Sequence, residues 1–196
     1  MLMKMVFEFF TLFHFNERKE VIRLKNKRII KISLLLIIIL YQLSITAFAN
    51  ESDFQYEIIG SEAKITGIVG RIDDLIIPST IGGYKVTTIG RTAFESNFFN
   101  SITIPDTVKI IEEQAFFGAY LRKGSTISIP ASVTEIGSYA FSYMYGVDAF
   151  QVDSKNKNYT SLDGVLYNAD KTVLLNYPLN KDDDIFIAPK DTTHFY

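Results

Sequence analysis

Two histidines, His14 and His194, stand at opposite ends of the 196-residue chain. Neither has a nucleophile or a second ligand beside it, so no histidine-based triad or two-histidine metal site can be assembled. Cysteine is absent, which removes thiolate nucleophiles, thiolate zinc sites and disulfides together. Carboxylates remain. Asp182-Asp183-Asp184 are consecutive, point in different directions and lack the alternate spacing of a calcium loop, so they read as a solvated charge run. Glu112-Glu113 fall at a turn, and the run from Asp153 to Asn158 places Lys155 and Lys157 where a calcium loop needs oxygen ligands. Gly67, Gly70, Gly82 and Gly83 match neither phosphate-binding glycine pattern. Asn158-Tyr159-Thr160 is a glycosylation acceptor, of meaning only in a eukaryotic host. The expectation is a chain that is not an enzyme, with no catalytic, cofactor-binding or metal-binding residue.

The elements that position these side chains follow from a repeat. In the stretch Ser101 to Phe116, the residues Ile102, Ile104, Pro105, Val108, Ile111, Ala115 and Phe116 recur 25 residues later as Ile127, Ile129, Pro130, Val133, Ile136, Ala140 and Phe141. An earlier copy has Leu75, Ile77, Pro78, Ile89, Ala93 and Phe94, with five extra residues around Gly82-Gly83-Tyr84. Self-similarity at a fixed period in the twenties marks stacked repeats. Within a unit, Ile102-Thr103-Ile104 alternates as a strand that Pro105, lacking an amide donor, must end. Asp106-Thr107 suits a turn, Val108 to Ile111 a second short strand, and Ala115-Phe116 a plug for the interior. Phe94, Phe116 and Phe141 are thus the expected structural core, each contributing on the order of 1.5 to 3 kcal/mol by burial.

The flanks are unlike the repeats. Residues 1–49 carry a net charge of +5 and the remainder −7, which suits a targeting segment ahead of an acidic body and excludes nucleic acid as a partner. Lys25, Lys27, Arg28 and Lys31 precede an apolar run from Ile32 to Leu40 and an Ala47-Phe48-Ala49 site, the three parts of a secretory signal peptide. Cleavage is expected between Ala49 and Asn50, and a membrane anchor over the same residues is the rival, so contact with membrane is expected only through this segment. Residues 1–24 form an extension, with the translation start expected near Val21 or Leu24. Alternation from Phe54 through Tyr56 and Ile58, a Gly60-Ser61 turn, then Ala63, Ile65 and Gly67 predict a hairpin capping the first repeat. Asp163-Gly164 and Asn168 to Lys171 predict two turns of a second hairpin module.

The unit Ile-x-Ile-Pro-x-x-Val-x-x-Ile-Gly-x-x-Ala-Phe, complete at Ile127 to Phe141, resembles the BspA-type leucine-rich repeat of bacterial surface proteins and some parasitic protists. The string from Phe150 to Pro178 is similar to a hairpin module inserted between such repeats. This resemblance implies a mainly β leucine-rich-repeat solenoid of about three full repeats plus a partial one, with an N-terminal hairpin cap and an inserted hairpin. Its expected parts are repeats at 75–94, 101–116 and 126–141, a module at 150–178 and a partial repeat at 185–196, within a domain over 50–196. Family repeats often carry a cysteine after Ala-Phe; Asn97, Ala119 and Met144 stand at those positions here.

Stacking would align the outward residues Ile76, Thr103, Ser128, Gln151 and Phe186 on one face, the kind of surface through which repeat proteins bind. Tyr139, Tyr143 and Tyr145 with Met144 form a second candidate patch. The resemblance implies an exported or cell-surface protein that binds a protein partner, a host extracellular-matrix or surface protein, in adhesion to host or neighbouring cells. The alternative expectation is a non-binding remnant or the structural N-terminal fragment of a longer surface protein.

Overall fold

The computed structural model describes residues 50–181 and 185–196. The expected signal segment with Ala47 and Ala49, the extension at 1–24, His14 and Asp182–Asp184 lie outside the described residues. Asn50 caps a single 3-10 turn, Glu51–Asp53, by accepting from the Ser52 amide, and no α-helix occurs among the described residues.

Every repeat makes a turn with three short strand positions. β1 (Phe54–Ile59) and β2 (Glu62–Ile68) form an antiparallel hairpin about the Gly60-Ser61 turn. The first turn comprises β3 (Asp74–Ile76), β4 (Thr80–Ile81), β5 (Tyr84–Ile89) and β6 (Phe98–Phe99), with β4 folding back on β5 through the inserted Gly82-Gly83. The second has β7 (Ser101–Thr103) and β8 (Ile110–Ile111), and the third β9 (Tyr120–Ile129) and β10 (Glu135–Ile136). Then come β11 (Tyr145–Val152) and a hairpin module of β12 (Tyr159–Leu162), β13 (Val165–Asn168) and β14 (Val173–Asn176), with β15 (His194–Phe195) last.

Parallel pairing between equivalent positions joins the turns. One sheet runs β1-β2-β5-β8-β10, a second β6-β9-β11, and β3 pairs with β7. β9 and β11 are long enough to serve two rows: their first residues continue the row of β6, Tyr120 beside Phe98 and Tyr145 beside Tyr120, and their second halves pair Phe150 with Ile127 and Gln151 with Ser128. The second halves thus occupy in their own repeats the place that β3 and β7 hold in theirs.

Burial explains which positions repeat. Phe94, Phe116 and Phe141 are buried and stack along the axis, with ring centroids 5.1 Å apart for the first pair and 5.4 Å for the second. The turns that carry them are tied by backbone bonds: Thr92, Phe94 and Ser96 donate to the carbonyls of Glu113, Ala115 and Phe117, and Gln114, Phe116 and Gly118 donate to those of Ser138, Ala140 and Ser142. These bonds hold Thr92 and Gln114 at φ of 53° and 58°, and Tyr139, between the accepting carbonyls of Ser138 and Ala140, stands at 58°, a left-handed region that residues other than Gly, Asn and Asp seldom enter.

The expected strand at Ile185 to Ile187 does not form. Those three residues lie outside every strand, and Phe186 packs edge-on against Tyr177 at 4.8 Å instead of extending the row of Ile76 and Thr103. The reason lies on β11, the strand it would have joined. There the Phe150 amide donates to the Gly164 carbonyl and the Val152 amide to the Ser161 hydroxyl, so the hairpin module already occupies that edge. The chain's last residues turn elsewhere, and β15 adds in parallel to β14.

Asn156 anchors the module. Its amide nitrogen donates to the carbonyls of Pro130 and Val133 at 2.8 and 3.1 Å, while its oxygen accepts from the amides of Asn158 and Tyr159. Tyr159 then reaches across to accept from the Ile136 amide at 2.7 Å, which satisfies one donor on the open edge of β10. Burial raises the Tyr159 hydroxyl above its ordinary value.

Candidate binding surfaces

Charges on the outside of the long sheet are consumed between repeats. Glu62 on β2 accepts from Lys109 at 2.7 Å and from the Thr87 hydroxyl at 2.9 Å, and these two bonds lower its carboxyl below the usual range. Lys64 pairs with Glu112 at 2.9 Å, and Glu112 also accepts from the Arg91 amide. Arg91 in turn reaches Glu113 at 3.4 Å. Exposed pairs of this type contribute little each, about 0 to 1 kcal/mol, but their directions are fixed by neighbours in the stack. Glu57, Lys85 and Glu135 on the same strands are exposed and have no ion-pair partner among the described residues.

The row of outward strand residues is polar. Thr103, Ser128 and Gln151 are exposed and Ile76 half-buried, with Ile76 paired to Thr103 and Ser128 to Gln151. Phe186 stands apart from them for the reason given above.

A different surface is apolar and regular. Phe98, Tyr120 and Tyr145 occupy the same register position of β6, β9 and β11. Their rings stack at 4.6 and 4.8 Å, nearly parallel at 12° and 11°. They remain 64%, 40% and 44% exposed. Phe117 and Tyr143 make a second, T-shaped pair at 5.2 Å in the adjoining turns. The Tyr120 and Tyr145 hydroxyls have no partner among the described residues, so an aromatic ladder shows its edges and two phenol groups to solvent. Arg122 and Lys123, exposed on β9 just beyond Tyr120, border it with positive charge.

The ladder is the surface that sequence reasoning missed as a unit. The signal was present: each ring lies four residues after the phenylalanine of an Ala-Phe pair. Of the patch expected at residues 139–145, Met144 belongs to the core and Tyr145 to the ladder, while Tyr139 and Tyr143 are exposed. Ala119 and Met144, at the positions where related repeats often carry cysteine, are buried. Strand alternation then forces the next residue outward.

Residues 74–170 match the family described as the BspA type leucine-rich repeat region, in six copies. The chain is a BspA-type leucine-rich repeat protein. Among solved structures, a leucine-rich repeat protein from Eubacterium ventriosum is 26% identical, with a TM-score of 0.51 over 57% of this chain and 29% of its own. A leucine-rich cell surface protein from Faecalibacterium prausnitzii is 19% identical over 74% of this chain and 65% of its own, with a TM-score of 0.42. The pneumococcal vaccine antigen PcpA is 16% identical over 75% of this chain and 60% of its own, with a TM-score of 0.37. This chain therefore spans less than a third of the length of the Eubacterium protein. No curated protein matches the sequence.

Proposed function

We propose that this BspA-type protein is exported to the cell surface and binds a protein partner there through the Phe98–Tyr120–Tyr145 ladder. The ladder carries this reading. Three large rings held in register at 40% exposure or more form a preorganised patch, and aromatic residues, tyrosine above all, are enriched at interfaces and among the residues that dominate their energetics. Stacking has already removed most of the rotamer freedom that a partner would otherwise have to freeze. The rings turn edges outward, which suits side-chain packing and hydrogen bonds to phenols better than the face-on stacking a sugar requires. The acidic repeat body and the paired charges of the long sheet leave nucleic acid without a basic groove.

The basic apolar segment before Asn50 supports export, with cleavage at the Ala47-Phe48-Ala49 site. Repeat proteins commonly bind through extended faces, and the solved relatives include a cell surface protein. On this reading the partner is a host extracellular-matrix or surface protein, and the outcome is adhesion. The row of Thr103, Ser128 and Gln151 with Ile76 is a second, polar contact surface, favoured by its direct strand pairing.

Biolayer interferometry of the purified protein against fibronectin, collagen, laminin and fibrinogen tests this. Binding to at least one is expected. Replacing Tyr120 and Tyr145 by Ser should weaken it at least about tenfold, the loss of two interface aromatics being worth more than about 1.4 kcal/mol. Replacing Thr103 and Ser128 by Lys probes the polar row. Absence of binding at micromolar concentration, or binding indifferent to both pairs of changes, would reject the assignment.

A further inference from the structure

The third Ala-Phe turn ends in an empty seat. In the two preceding turns, three amides at alternate residues donate to three carbonyls of the turn stacked above: Thr92, Phe94 and Ser96 to one neighbour, Gln114, Phe116 and Gly118 to the next. The equivalent amides of the third turn are those of Tyr139, Phe141 and Tyr143. None of them has an acceptor among the described residues. Above Tyr139 and Phe141 opens a cleft of about 250 Å³, walled by Tyr159 and Leu175 of the hairpin module and by Tyr196, with Tyr143 just beyond its lining. The module closes the neighbouring rows, through Tyr159 on β10 and Gly164 on β11, and over the turn its Asn176 amide group donates to the Phe141 carbonyl at 3.0 Å. Three parallel donors at alternate residues repeat the arrangement that seats the two preceding turns.

We propose that this cleft binds, in trans, a peptide segment that takes the Ala-Phe turn conformation. The guest would present three alternate carbonyls to Tyr139, Phe141 and Tyr143, and a small residue followed by an aromatic, the aromatic packed against Tyr159 and Leu175 because Phe150 already lies edge-on to the Phe141 ring at 5.3 Å. The occupant's chemistry is read from the two turns already seated in the same way, at residues 112–118 and 138–142. This inference is independent of the aromatic ladder, which lies on a different row of strands.

The test uses a fluorescein-labelled peptide of residues 109–121 and the full-length protein. Anisotropy should show saturable binding, and a peptide with Phe116→Ala should bind at least tenfold more weakly. Amide hydrogen exchange by NMR locates the guest: the amides of Tyr139, Phe141 and Tyr143 should exchange fast in the free protein and slow at least tenfold on peptide addition, while those of Gln114, Phe116 and Gly118 stay slow throughout. Failure to bind at 1 mM, as a probe concentration of about the weakest affinity that counts as recognition, would overturn the proposal. So would protection appearing elsewhere, or the three amides being slow before any peptide is added. Loss of partner binding by the ladder variants leaves this measurement unchanged, so the two readings fail separately.

Discussion

Replacing Phe116 with alanine removes the middle ring of a three-ring stack. The side chain is fully buried, with Phe94 on one side at 5.1 Å and Phe141 on the other at 5.4 Å. Truncation of a buried phenylalanine costs about 3 to 5 kcal/mol, the spread reflecting how far the site collapses. Collapse is difficult here, because the backbone of each neighbouring turn is pinned by three inter-turn hydrogen bonds. Two aromatic contacts, each worth about 0.5 to 1.5 kcal/mol beyond area burial, are lost at once. Both considerations place the loss in the upper half of that range, about 4 to 5 kcal/mol. Against a total of roughly 5 to 15 kcal/mol for a domain, the variant should be folded at 25 °C but close to its limit. The chain has no tryptophan, so urea unfolding is followed by far-UV circular dichroism and tyrosine fluorescence together; coincidence of the two curves checks that the array unfolds as a unit. Phe98→Ala is the control, since that ring is 64% exposed and should cost under about 1 kcal/mol. A loss below about 1 kcal/mol for Phe116→Ala at unchanged slope would refute the stack as the main source of stability.

Gly146→Ala should cost more than about 2 kcal/mol, because φ is +83° and a Cβ there would overlap the Leu121 carbonyl; Gly124→Ala, at +90° with open space around it, should cost only about 1 to 2 kcal/mol, and equal urea midpoints for the two would refute the close-approach argument. Asn156→Ala removes four hydrogen bonds, two that join the module to the third repeat and two that shape the module's own turn, and should lose about 2 to 4 kcal/mol, seen as faster exchange of the Tyr159 to Asn176 amides before the repeats open. Glu62 is held below its ordinary value of 4.5 by Lys109 and Thr87, and Asp170 below 3.8 by Thr172. Depressed carboxylates stabilise above their unfolded values and lose that contribution as pH falls through the lower folded ones, so thermal midpoints should drop below about pH 4.5, and less steeply in Glu62→Gln. The raised Tyr159 hydroxyl acts in the opposite sense, its contribution being complete below pH 10 and lost as pH rises beyond it.

Stacking made the repeat legible. Ile102, Ile104, Val108, Ile111, Ala115 and Phe116 face neighbours of identical kind, so each turn requires the same residue type and the period appears directly in the sequence. The turn position held by Gly90, Glu112 and Gly137 shows the limit of that logic. A Cβ at Gly137 would overlap the Glu113 backbone, and one at Gly90 would lie 2.8 Å from the Ile65 carbonyl. At the same position of the second repeat Glu112 is tolerated, and its carboxylate binds Lys64 and the Arg91 amide. The left-handed residues were not legible for a related reason: Thr92, Gln114 and Tyr139 are poor choices for positive φ, and only the inter-turn bonds, invisible in a linear pattern, hold them there. The strand expected at Ile185 to Ile187 failed because its partner edge was taken by Gly164 and Ser161, a competition between distant segments that local alternation does not encode.

The same reasoning separates structure from function on the surface. A position whose side chain meets its own repeat in the next turn is constrained by stacking, whatever the protein binds. Phe98, Tyr120 and Tyr145 satisfy that condition through their ring faces, yet the two phenols have no hydrogen-bond partner among the described residues. Stacking alone would be met by aliphatic residues, which pack well in parallel strands and expose no polar group. The choice of tyrosine at two of the three positions adds hydroxyls that the fold does not use. Inside the stack the contrast is complete: Phe94, Phe116 and Phe141, four residues earlier in each turn, are phenylalanine throughout, because a buried hydroxyl would need a partner that the core does not offer.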